Sequence, residues 1–196
     1  MKRAAIGIRV HSGWGAVVAV SGMPGGEEVI DRRRVAVADP RTTGAIQPYH
    51  FAERMELKRA EQHIAKCAAA SRKLAVAAVR ALLRDLEQRQ YSIVGTCILL
   101  SSGRALPEFD KILASHALIH TAEGEFFREA FRGALGECGV PVIGVREREL
   151  QVQAESRLGP AAAKLQEKIA AMGRSLGPPW TADQKNAALA AFLVLY

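Results

Sequence analysis

Cysteine is scarce in this chain of 196 residues: there are three, Cys67, Cys97 and Cys138. Their odd number and wide spacing exclude a disulfide framework and a CxxC-type zinc site, and their apolar contexts mark them as small buried hydrophobes. Long hydrophobic runs are also missing. The longest, Ala187 to Tyr196, is far short of the roughly 20 residues a bilayer requires. The segment after Lys2 and Arg3 is interrupted by Arg9 and His11, which a signal-peptide core does not tolerate. No membrane span is therefore expected, and a cytoplasmic location is. The chain has no internal repeat, low-complexity tract, P-loop, GxSxG or HExxH, so no motif asks for a cofactor or a metal, and none is expected. Acids are in deficit, 20 against 27 lysines and arginines, for a net charge of +7 and a pI near 9.7. That balance suits an acidic partner, most commonly nucleic acid, or a solvated basic surface.

The length fits a single domain over residues 1–196. Ile6 to Val20, IGIRVHSGWGAVVAV, reads as two apolar strands joined by a turn at Gly13 and Gly15. Met23-Pro24-Gly25-Gly26 turns the chain into a third strand, Glu27 to Val37. Arg32, Arg33 and Arg34 interrupt its alternation in the manner of a protected edge rather than a nucleic-acid patch. Asp39-Pro40 closes the strand, and a polar loop runs to Pro48.

From about Ala52 to Gln90 apolar residues recur every three or four positions with no breaker, which predicts one long amphipathic helix. Such a helix would run roughly 55 Å and is expected to kink or to project towards a partner, a second copy of the chain included. Arg59, Lys66, Lys73 and Arg80 follow one another at seven-residue intervals and form a basic stripe. It is a phosphate-binding face or a solvated one.

Ser92 to Leu100, SIVGTCILL, has the continuous apolar character of a strand in the middle of a sheet. Ser101-Ser102-Gly103-Arg104 follow at its carboxyl end, where open α/β sheets place ligands. A helical face runs from Phe109 to Cys138, with a break or kink expected at Gly124. A short strand, Val142 to Val145, then leads to helices from Arg148 to Gly159, from Ala161 to Ser175, and from the capping sequence Thr181-Ala-Asp-Gln184 onwards.

Three strands, a helix, a strand, a helix, a strand and closing helices is the order of the ribonuclease H-like superfold. Within it the chain resembles the Holliday-junction resolvases of the RuvC type. IGIRVHSGWGAVVAV is similar to that family's opening Ile-Gly-Ile-Asp-Pro-Gly hairpin with its later Gly-Trp-Gly; Pro141 to Gly159 resembles the strand, helix and glycine before its Lys-rich helix; and ADQKNAALAAF resembles its closing helix. The resemblance implies an α/β fold with a five-stranded mixed sheet, its first three strands antiparallel, flanked by helices. It also implies carboxylates from three places around two divalent cations. Here Arg9 stands at the first place, Ser101 near the second, and Asp183 with Asn186 at the third; Glu108 is the nearest substitute at the second. Asp183 alone is an ordinary first-turn acid. This pattern implies a degenerate, non-catalytic member that binds nucleic acid or a protein.

The alternatives are a structural role through dimerisation of the 52–90 helix and an enzyme of another kind. For the latter the candidates are His116, His120 and Glu123, with Arg128 a turn further on. Spacings of four and three residues place the first three on one helical face, fit for acid/base work or for one transition metal. The same face carries the apolar stripe from Phe109 to Phe127, which equally predicts two packed core histidines.

Overall fold

The computed structural model describes residues 1–101 and 105–196. Its sheet is built from β1 (Lys2–His11), β2 (Trp14–Ser21), β3 (Glu28–Ala36), β4 (Tyr91–Leu100) and β5 (Val142–Arg146), in the order β3-β2-β1-β4-β5. The first three strands are antiparallel neighbours, with Ile8 opposite Val17 and Val17 opposite Arg33. β4 lies parallel to β1, with Ile6 opposite Thr96, and β5 lies parallel to β4. The mixed five-stranded α/β sheet expected from the sequence is thus present. β1, not β4, is its central strand, although β4 is interior and its carboxyl half is as buried as its apolar run demands.

Alternation along the strands divides the core into two layers. Ala4, Ile6, Ile8, Val17 and Ala19 face α2 (Leu57–Gln88) and α4 (His116–Glu137), where Val79, Leu82, Leu86, Phe127 and Phe131 fill the space. Ala5, Val18, Val20, Cys97 and Leu99 face the other way. There they meet α5 (Leu150–Leu158), α6 (Ala161–Leu176) and above all α7 (Ala182–Leu195). Cys97 is sealed in this layer, and burial pushes its thiol up to about 12, which leaves it unreactive as expected of a packed hydrophobe. From Ala187 onward α7 is apolar all round because it is covered nearly all round. Leu189, Phe192, Leu193 and Leu195 are buried, each contributing about 1.5–3 kcal/mol. Its alanines let it come so near the sheet that a Cβ on Gly7 would lie 1.8 Å from the carbonyl oxygen of Ala187.

The helix after β3 is shorter than its periodicity suggests. Pro48–Ala52 forms a separate short helix, α1, and α2 starts only at Leu57, where the Glu56 carboxylate accepts from the amides of Lys58 and Arg59 at 3.0 and 3.3 Å. At 32 residues α2 is about 48 Å long. Its first turns do not stand bare: Ala60 and Ile64 pack with Ala52, Tyr49 and Leu113 in a small satellite core under α1 and α3 (Phe109–Leu113). The expected break at Gly124 is absent. α4 runs unbroken through it, and the chain breaks instead at Ala114 and Ser115, between α3 and α4. Gly124 serves a different purpose, since a Cβ there would meet the Arg128 guanidinium at 2.7 Å.

The edge strand β3 is held as well as protected. Arg32 donates to the carbonyls of Gly177 and Pro179 at 2.7 and 2.6 Å, tying the edge to the turn before α7. Arg33 bridges Asp31 and Asp85, and those carboxylates raise its pKa further. No described helix is long and apolar enough to cross a membrane.

Two glycine substitutions separate close approach from mere flexibility. Gly7→Ala forces α7 off β1 and is expected to cost about 3 kcal/mol or more. Gly133→Ala, in α4 with nothing within 4 Å of the added methyl, should stabilise by up to about 1 kcal/mol. Urea unfolding of the two variants checks both signs.

Candidate functional site

The carboxyl ends of the parallel strands β1, β4 and β5 converge with the amino terminus of α7, and polar side chains collect there. β1 supplies Arg9 and His11. The 3-10 turn Glu147–Glu149, directly after β5, supplies Glu147, and the first turns of α7 supply Asp183 and Asn186. Thr181 and Gln184 close the capping box predicted from the sequence, which fixes the direction from which Asp183 enters. Asp183 sits where the helix dipole favours an anion.

Arg9 is the hub. Its Nε lies 2.8 Å from Glu147 Oε1 in an ion pair, and its Nη1 makes a close charge-assisted contact with Asp183 Oδ1. Asn186 Nδ2 donates to the same Glu147 oxygen at 3.0 Å. The two residues that stand where the RuvC resemblance implies acids thus act together: a guanidinium lies between the two carboxylates, and an amide donates where an acid would repel. An arginine cannot be deprotonated, so this centre carries its own fixed cation. His11 Nε2 lies 3.1 Å from Asp183 Oδ1 but is not directed as a hydrogen bond. Burial, then the Arg9 guanidinium, lowers the imidazole's pKa, and its ring stacks on Trp14 with centroids 4.3 Å apart. Arg34 covers Trp14 at 4.2 Å.

The remaining positions that the RuvC resemblance points to make no hydrogen bond or ion pair with Arg9, Glu147 or Asp183 among the described residues. Ser101 is exposed at the end of β4, Glu108 is exposed at the start of α3, and Ser102, Gly103 and Arg104 lie outside the described residues. Glu147, His11 and Trp14 were not singled out in the sequence. Glu147 had one usable signal, its place as the first acid after β5.

The histidine group is rearranged rather than dispersed. His116 and His120 are exposed on the first turns of α4, not packed in the core, and their Nε2 atoms are 3.1 Å apart. Glu123 is buried, and its Oε1 accepts from the amides of Tyr49 and His50 at 2.8 and 3.0 Å and lies 3.2 Å from His50 Nδ1. It therefore caps the amino end of α1, while burial, opposed by those hydrogen bonds, raises its pKa. Arg128 takes no part. It is buried, and its Nε donates to the carbonyl of Leu99 at 3.0 Å. In its place His50, which no spacing in the sequence could have assigned, reaches the two histidines of α4.

On α2 the four stripe residues Arg59, Lys66, Lys73 and Arg80 are all exposed. Among the described residues only Arg80 of the four is ion-paired, to Glu137 at 3.0 Å.

A sheet of this order with a long helix after β3 defines a ribonuclease H-like class. Comparison with solved structures narrows it to the RuvC-type fold. Thermus thermophilus RuvC in complex with a Holliday junction substrate is 13% identical, with a TM-score of 0.51, over 97% of this chain and 91% of that one. A further Thermus thermophilus RuvC structure is 14% identical, with a TM-score of 0.48, over 97% and 92%. At such identities the likeness concerns the fold. No protein-family model and no curated protein matches the sequence.

Two outcomes follow from the site. Replacing Arg9 by Leu leaves Asp183 and Glu147 facing each other without a cation and is expected to cost about 1–2 kcal/mol in urea unfolding at neutral pH, the partial exposure of the group keeping the loss below that of a buried pair. The His11 pKa is lowered below its ordinary 6.5, so the unfolded chain binds the extra proton first. Stability is then full above about pH 6.5 and is lost as pH falls through that value. Unfolding between about pH 7.5 and pH 5.5 should show a shallower loss in His11→Phe than in the unsubstituted chain, with a residue from His63, whose pKa is also lowered.

Proposed function

We propose that this protein is a non-catalytic, RuvC-like nucleic-acid-binding protein. The observation that carries the reading is the Arg9 guanidinium set between Asp183 and Glu147. A two-metal nuclease of this fold places cations among carboxylates at the ends of these strands, and a fixed guanidinium in that place repels a divalent ion and satisfies the acids that would hold it. The net charge of +7 and the exposed stripe on α2 support attraction to phosphates, and the solved structure of similar fold holds a Holliday junction. Contacts confined to phosphates give weak, sequence-tolerant binding that is steeply salt-dependent, because each neutralised phosphate releases counterions.

A second reading, a protein-binding role through α2 with a second copy of the chain as the simplest partner, is favoured by the apolar cavity of about 720 Å³ between α2 and α4, lined by Ile64, Ala68, Leu106, Phe126 and Ala130.

Fluorescence anisotropy with branched and duplex DNA at low salt tests the first reading. The expected result is binding whose logarithm falls with log salt at a slope of about −3 to −4, a loss of binding when Arg59, Lys66, Lys73 and Arg80 are all changed to Glu, and no cleavage with magnesium or manganese. Metal-dependent cleavage that disappears in Asp183→Ala would overturn the non-catalytic assignment. An absence of binding at low salt would overturn the nucleic-acid assignment and turn attention to α2 as a protein-binding face, with light scattering reporting a dimer.

A further inference from the structure

Outside the strand-end centre, the described residues bring together three imidazoles. His50 of α1 meets His116 and His120 of α4, with ring centroids 4.5–5.3 Å apart in the three pairs. One nitrogen from each lies within 4.8 Å of the others. We propose that His50, His116 and His120 form a binding site for one zinc ion, with a fourth coordination position open to solvent.

Four features carry the assignment. The first is ligand type: three neutral imidazoles with no carboxylate or thiolate among them suit zinc, copper or nickel rather than magnesium or calcium, and a set of three histidines is a zinc arrangement that leaves one position free. The second is the tautomer. His50 Nδ1 faces Glu123 Oε1 at 3.2 Å, and an imidazole that donates there presents its Nε2 lone pair outward. A carboxylate behind a histidine in this way is the usual outer support of a metal ligand. The third is charge. Glu123 is buried with Oε2 unpartnered, and among the described residues it has no lysine or arginine partner; a divalent ion beyond His50 would supply the missing positive charge. The fourth is spacing. The Nε2 atoms of His116 and His120 are 3.1 Å apart, close to the roughly 3.3 Å that tetrahedral bonds of about 2.0–2.1 Å impose. Those two rings are exposed and free to make the small rotations that bring the third nitrogen into range. Their offset of four residues places them on one face of α4 without strain. This site is independent of the assignment made for the Arg9 centre, and a failure of either leaves the other standing.

The test uses the untagged full chain, stripped with chelator and dialysed, because a polyhistidine tag would bind the same ion. Calorimetric titration with zinc chloride is expected to give one ion per chain, and the melting temperature to rise with zinc. Cobalt(II) is expected to give the intense visible bands of four-coordinate geometry, lost when zinc displaces it. Either His116→Gln or His120→Gln, at exposed positions that leave folding intact, should abolish the cobalt spectrum and weaken zinc binding more than 100-fold. Glu123→Gln, which retains an acceptor for the α1 amides, should weaken it by about 10–100-fold. Absence of stoichiometric zinc binding in the unsubstituted chain would overturn the proposal. So would a cobalt spectrum and zinc affinity unchanged in the His116→Gln, His120→Gln double variant.

Discussion

A single guanidinium joins three segments that are remote in sequence. Arg9 belongs to the central strand, Glu147 to the turn after the last strand, and Asp183 to the first turn of the last helix. Each carboxylate is only partly exposed, so neither is fully compensated by water, and the geometry of the strand ends depends on the cation between them. The rest of the fold prepares this meeting. The absence of a side chain at Gly7 lets α7 descend onto β1, the capping box starts α7 at the right residue, and Arg32 anchors the turn that leads into it.

The fold was largely legible because its signals are local. Alternation in β1 and β2, the Pro-Gly-Gly turn and the capping box at Thr181 each specify their own element with little help from distant residues. What misled were signals whose meaning tertiary packing decides. Gly124 looks like a helix breaker, yet it makes room for Arg128; the true break at Ser115 carries no glycine or proline. The periodicity from Ala52 to Gln90 continues across the gap between α1 and α2, because both bury an apolar face against the same satellite core. The apolar run of β4 reports burial on both sides, which an interior strand beside the centre satisfies as well as the central one.

The sites were legible only by halves. Arg9, Asp183 and Asn186 could be grouped in advance through the resemblance to RuvC-type resolvases, but Glu147 arrives through the fold of β5 and nothing near it in the chain announces a partner. His116, His120 and Glu123 share a helical face by spacing alone. His50 lies 66 residues before His116 in the numbering, in a five-residue helix whose position is set by hydrogen bonds from its own amides to the Glu123 side chain. A residue brought in by its backbone's partner, rather than by its own side chain, leaves no periodic trace.

The covering of β1 by α7 has a consequence for the order in which the molecule comes into being. β1 is made first among the elements and α7 last, and nearly a whole face of the sheet, Ala5, Val18, Val20 and Leu99 included, waits for Leu189, Phe192 and Leu193. Until those residues have been made, only α5 and α6 are there to cover that face. The contacts that finish the core are the ones with the greatest separation along the chain, and separation of that kind slows folding. A chain that still lacks α7 therefore exposes part of an apolar sheet, the kind of surface that makes incomplete folds prone to aggregate.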